Sequence, residues 1–323
     1  MRYRLCNLFL LLQLAIAPVQ AKESSWLAVT LDNDILVGQD NGYTNGVFFS
    51  WFDIGDQKDR FMPGWLAAPL SWSLDVESAK TTLQAYALGQ IMVTPEDITI
   101  ENPPINDLPY SGSLLFNYTF ITMAGAYADS VGTVVGVVGP SSGAEATQKW
   151  VHDRFDADDP EGWDTQLDDE IVFQLSRARL WRTWSASDDR MDLLILGEAG
   201  VGTLSSFIAS GMLFRFGSDL SRSFATPLLI NSRSANPAAI EGGWYLFAGL
   251  RFEYVFNLIY TDGNTYRDSR SIDYDRSQVG ITTGVAYSWE NVSVTFALYD
   301  SNLTDDLARD ITRFGTLTIG WRH

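Results

Sequence analysis

The chain has 323 residues, 13% of them aromatic, with 22 Lys and Arg against 40 Asp and Glu and a formal charge of −18. So acidic a composition argues against nucleic acid as a partner, because phosphate binding needs basic patches. The single cysteine, Cys6, lies in a segment expected to be removed, so no disulfide framework is expected in the remainder.

Residues 1–21 read as a secretory signal. Arg2 and Arg4 form a basic start, 8–17 an apolar core, and Val19-Gln20-Ala21 a cleavage signal after Ala21. Cleavage removes two of the 22 basic residues and leaves 20 against 40 acidic ones, a charge of −20. An anionic lipid substrate would then need a bridging divalent cation. Residues 22–323 are expected to form one domain, a normal length for a closed barrel. No later segment approaches ~18 consecutive apolar residues, so no transmembrane helix is expected.

Twelve strands are predicted, near 26–35, 43–54, 80–93, 111–127, 130–139, 164–184, 189–202, 205–217, 243–260, 267–288, 291–301 and 312–322. Their alternation is plain in 292–298, where Val292, Val294, Phe296 and Leu298 interleave with Ser293, Thr295 and Ala297. Side chains repeat every second residue along a strand, so such segments have one apolar and one polar face. A soluble sandwich would share this pattern, but several strands exceed ten residues. The fold class is therefore all-β, a transmembrane antiparallel β-barrel of about twelve strands with one short helix in an extracellular loop.

An even strand count returns both termini to one side, expected to be the periplasm. Segments 36–42, 94–110, 140–163, 203–204, 261–266 and 302–311 then face outside. Two connections on the terminal side, 55–79 and 218–242, are long for a bacterial barrel. The chain ends RFGTLTIGWRH, an alternating strand that closes on His323 rather than on an aromatic residue.

The exception to the strand pattern is VGPSSGAEATQKWVHD (138–153). Gly139-Pro140 stops a strand. Ser142 stands three residues before Glu145, the spacing of a capping box. Glu145, Gln148 and His152 share one helical face. His152 and His323 are the only histidines, and imidazole suits general-base work near neutral pH. A solvated loop histidine is the plainer alternative.

Three further polar segments fall on the same side by parity. LDNDILVGQDNGYTNG (31–46) offers Asp32, Asn33 and Asp34, oxygen donors of the type Ca²⁺ takes, although such a run is more often a turn. LGQIMVTPEDI (88–98) ends a strand at Thr94-Pro95-Glu96-Asp97. GWDTQLDDE (162–170) enters the sixth strand, with Gln166, Asp168 and Glu170 expected to alternate toward the lumen. No G-x-S-x-G elbow occurs, which disfavours a serine hydrolase.

Together these four segments resemble the outer-membrane lipid A 3'-O-deacylase family, from about residue 26 to 182. The resemblance implies a twelve-stranded barrel in the Gram-negative outer membrane. Its site would lie between the wall and a helix from an outer loop, facing lipid A of lipopolysaccharide in the outer leaflet. By position His152 matches the family's catalytic histidine, Asn33 and Asp34 its polar and calcium-associated pair, Thr44 its strand-two hydroxyl and Gln148 the glutamine one turn before the histidine. The implied cofactor is Ca²⁺, held by Asp34 and Asn33, and the expected state is a monomer. A phospholipase, or a pore without enzymatic activity, are the alternatives. One departure stands out. No Lys or Arg occurs between Lys80 and Lys149, and Leu108 stands where similar chains carry an arginine before the Pro-Tyr pair. Lys149 and Arg154 flank the helix and are the nearest substitutes.

Overall fold

The computed structural model describes residues 24–33, 45–56, 69–229, 242–301 and 312–322. Twelve strands close into one antiparallel barrel, each paired with its neighbours in sequence and the last with the first. They are β1 (Ser24–Asn33), β2 (Asn45–Asp56), β3 (Thr81–Val93), β4 (Ser111–Ala124), β5 (Tyr127–Val138), β6 (Glu170–Ser185), β7 (Met191–Gly202), β8 (Ser205–Gly217), β9 (Gly243–Leu258), β10 (Ser277–Trp289), β11 (Val292–Ser301) and β12 (Thr312–Arg322). Closure leaves no strand edge unpaired, the requirement for crossing a bilayer with strands. No helix is long and apolar enough to cross a membrane, among the described residues.

Period-two alternation sets the two faces. Trp26 pairs with Phe52 and Phe52 with Ala85, and all three are buried toward the lumen. The intervening residues point outward, and Leu31, Phe49, Ile171, Ile208, Phe214 and Ile281 are exposed. Near the end where β1 begins and β12 finishes, Trp181, Trp184, Trp289 and Trp321 stand outward. Near the far end Phe173, Phe252, Tyr254 and Phe256 do so. These two groups form the aromatic girdles of a membrane barrel.

The lumen is filled at both ends among the described residues. At the end near the termini, 218–229 turns back inside as two 3-10 turns, Leu220–Ser223 and Thr226–Leu229. Leu220, Phe224, Ala225 and Leu228 join Trp26, Phe52, Leu213 and Phe247 in one apolar cluster. Buried Arg215 holds this plug. It donates to Asp192 at 2.9 and 2.6 Å, to the Leu220 carbonyl at 2.9 Å and to the Ser223 carbonyl at 3.0 Å. At the far end a four-residue helix follows β9. Ile259 packs with Phe48, Ile91, Leu115 and Leu204, and the Tyr260 hydroxyl bonds Ser113 Oγ at 2.7 Å.

The two long connections thus become structure. The described part of the second, 218–229, forms the plug. The described part of the first, 69–80, folds up against the outward face of the wall. Leu74 covers Tyr118, Phe120 and Val131 there, and Arg177 Nε donates to Ser73 Oγ at 3.0 Å.

Two expected strands start later than the alternation indicated. β6 begins at Glu170 because Gly162–Thr165 is a 3-10 turn whose Trp163 is buried. β10 begins at Ser277 because the residues before it cross the mouth, where Asn264 bonds the backbone of Asp168 at 3.0 and 2.9 Å.

Candidate functional site

The long helix, α1 (Ala144–Phe155), lies outside the barrel, against the wall at its far end. The register shows why it fits there. Asn33 pairs with Asn45, Asn45 with Met92 and Met92 with Gly112, an outward-facing row across four strands. Gly112 leaves the hollow. A Cβ added to it would lie 2.2 Å from Ala144 Cβ and 2.4 Å from Ser142 Oγ. Ala144, Met92, Tyr110 and Trp163 form one buried cluster beneath the helix. Gln90, also outward, donates to the Ser142 carbonyl at 2.7 Å and fixes the start of the helix.

The expected capping box does not form. Ser142 belongs to a 3-10 turn, Pro140–Ser142, and Gly143 is the N-cap, in the left-handed region at φ 73°. The Ser142 hydroxyl reaches the Ala144 amide only at 3.4 Å. Glu145 instead pairs with Lys149 one turn on at 2.8 Å, a bond that raises the pKa of Lys149. Lys149 is therefore committed to Glu145.

Gln148 is buried and His152, one turn later, half-buried. Trp163 Nε1 donates to Gln148 Oε1 at 2.7 Å, while Gln148 Nε2 is shielded from solvent and meets no acceptor among the described residues. The helix ends at Asp156, in the left-handed region at φ 56°, a conformation Asp tolerates better than most residues. This turn brings the chain back, so that His152 Nδ1 lies 2.5 Å from the Asp158 carbonyl. A carbonyl can only accept, so Nδ1 carries the proton in this contact.

The 94–110 loop braces this arrangement. Asp107 accepts from the amides of Glu96 and Leu108 at 3.3 and 2.7 Å. Asp97 accepts from the Thr99 amide and hydroxyl at 3.0 and 2.6 Å, which lowers its pKa. The Tyr110 hydroxyl donates to the Ile98 carbonyl at 3.0 Å, and its ring lies 4.9 Å from that of Trp163. Burial pushes the Tyr110 phenol up to about 12.

The structure places Gln148 and His152 one turn apart on α1, which covers the Met92 and Gly112 end of the row; Asn33 stands at the other end of that row, on β1. Asp34 and Thr44 lie outside the described residues. Asp32 faces the lumen and is buried, away from this row. Gln166 and Asp168 precede β6 rather than alternating along it, and Asp168 is exposed beside Arg267 at 3.5 Å. Glu170 is buried at the mouth, where it accepts from the Thr265 amide at 2.9 Å. Leu108 packs at the edge of the mouth cluster. Sequence reasoning missed Trp163, Tyr110 and the Asp158 carbonyl; the sole signal was an aromatic residue inside the acidic run GWDTQLDDE.

A closed barrel with an apolar outward face and aromatic girdles defines a membrane β-barrel, here with a histidine-bearing helix against its outward face. The family model described as outer membrane protein LpxR matches residues 6–323, and the chain belongs to that family, an enzyme family of the outer membrane. Among solved structures, LpxR from Salmonella typhimurium is similar with a TM-score of 0.73 and 17% identity, over 92% of this chain and 99% of that one. The translocator domain of the autotransporter NalP from Neisseria meningitidis aligns at a TM-score of 0.45 and 8% identity, over 94% of this chain and 89% of that one. No curated protein sequence matches the chain.

Proposed function

We propose that this protein is a hydrolase that removes an ester-linked acyl chain, at the 3'-O position, from lipid A in the outer leaflet. The barrel would stand with α1 and the far-end loops outside the cell. The observation that carries the reading is the state of His152, whose Nδ1 is tied to a backbone carbonyl while Nε2 remains to take a proton. In that reading His152 Nε2 deprotonates a water, which attacks the ester carbonyl carbon. The tetrahedral intermediate then expels the sugar oxygen, which receives the proton from His152, leaving a free fatty acid and a hydroxyl. Family membership supports the substrate class.

Asn33 and Asp34 offer an amide and a carboxylate oxygen, the donor type that Ca²⁺ takes. No group of three acidic, histidine or cysteine side chains gathers for a metal among the described residues. In this reading Asn33 and Asp34 would hold the cation. When bound, it would polarise the ester carbonyl and bridge the acidic chain to an anionic lipid. Gln148 Oε1 is already used by Trp163.

Among the described residues the lumen is stopped at both ends, which favours a hydrolase over a pore, and the position of α1 on the outward face suits an amphiphile. The test is mass spectrometry of lipid A from cells expressing wild type or His152→Ala, with calcium present or chelated. Loss of one acyl group that depends on His152 and calcium is the expected result. An unchanged profile from an inserted wild-type barrel overturns the substrate, and full activity in His152→Ala overturns the base.

A further inference from the structure

We infer that Trp163 is a positioning residue that fixes the Gln148 amide, making Gln148 Nε2 a donor reserved for an oxygen of the bound substrate. The inference deepens the hydrolase reading and rests on it. It starts from the chemistry of two groups. An indole N–H only donates, so a 2.7 Å contact with the Gln148 amide must fall on its oxygen. The end-for-end assignment of that amide, otherwise ambiguous, is decided by its neighbour. The other end is then NH₂, and Nε2 is shielded from solvent with no acceptor among the described residues.

Buried donors are satisfied in nearly all native structures, and one left open costs free energy. An open donor one helical turn before the base, on the same face, is placed for an oxygen that arrives with the reactant. Held in this way, the donor is oriented before charge develops on the carbonyl oxygen. Trp163 can hold this geometry because it is itself fixed. It is buried, packed with Tyr110, Met92 and Ala144, and set on a short 3-10 turn, Gly162–Thr165. The Leu167 amide bonds the Tyr110 carbonyl at 2.9 Å and the Glu161 amide the Ile98 carbonyl at 2.9 Å, tying both ends of that turn to the 94–110 loop. A purely structural tryptophan would need the ring; this role needs the N–H.

The experiment is a double-mutant cycle on lipid A hydrolysis by the full-length protein in detergent micelles. Trp163→Phe keeps an aromatic ring and removes the donor. Gln148→Ala removes the amide, and Gln148→Glu keeps an acceptor for Trp163 while losing the donor. Heat-modified electrophoretic mobility confirms that each barrel is folded. Trp163→Phe should lower kcat roughly tenfold with little change in KM, the scale of one lost hydrogen bond. It should have no further effect in the Gln148→Ala background. Gln148→Glu should be at least as impaired as Gln148→Ala. Equal losses from Trp163→Phe in both backgrounds, or full activity in Gln148→Glu, overturn the inference while leaving the hydrolase reading intact. A folded wild type that cleaves no acyl ester overturns that reading and this inference with it.

Discussion

Gly112→Ala tests whether the seat of α1 sets the activity. The added methyl would lie 2.2 Å from Ala144 Cβ, whereas carbon atoms rest at about 3.5–4.0 Å. One side must yield by roughly 1.5 Å. Gly112 sits in β4, held on both sides by β3 and β5, so the helix moves instead of the wall. A misplacement of about 1 Å at reacting groups can cost on the order of 100-fold in rate. Overpacking of this kind destabilises by about 1–3 kcal/mol, which a barrel closed by twelve strand pairings tolerates. The expected result is a large fall in acyl release, read by mass spectrometry, with the folded form still heat-modifiable on gels. Gly280→Ala is the control, because its nearest neighbours stand at 3.9 Å. Adding Ala144→Gly to Gly112→Ala removes the closer clash and should restore part of the rate. A fully active Gly112→Ala barrel would refute the claim that docking of α1 on the wall sets the geometry.

Three further outcomes follow from other parts of the molecule. Arg215→Ala leaves Asp192 to Arg182 alone and strips two plug carbonyls of their donor. Breaking a buried pair costs about 3–5 kcal/mol, so the thermal unfolding midpoint in detergent should drop while acyl release is retained; an unmoved midpoint contradicts the lock. The folded-state pKa of Tyr110 is raised to about 12 by burial, so the unfolded chain ionises first, and stability that is intact below pH ~10 declines as pH rises from there toward about 12. Tyr110→Phe should flatten that alkaline decline in an unfolding titration. At Asp156, φ 56° excludes branched side chains. Asp156→Val should therefore disturb the return to Asp158 and lower kcat, whereas Asp156→Gly should leave it near wild type.

Strand number, pairing order and the grouping of 94–110, 138–153 and 162–170 at one end of the barrel were legible because period-two alternation and parity are properties of the chain itself. What was not legible depended on tertiary context. GWDTQLDDE alternates like a strand, yet Trp163 is drawn into the cluster under α1 and the segment turns instead. Ser142 and Glu145 have capping-box spacing, but Gly112 draws the helix start onto the wall and Gly143 takes the cap position. In 218–229, Leu220, Phe224 and Leu228 recur every fourth residue, although nothing local says that they fill a lumen. His152 could be chosen from scarcity and chemistry, but its protonated nitrogen is decided by a backbone carbonyl six residues on.

The stoppered bore has a meaning for the cell. An outer membrane protects only while its barrels admit no more than intended, and an open one of this girth would be a leak added with every copy. Here apolar side chains and the Arg215 clasp occupy one end, and Ile259 and Tyr260 the other. A bore stoppered in this way lets the wall carry its outward-facing helix without the barrel also serving as an open channel.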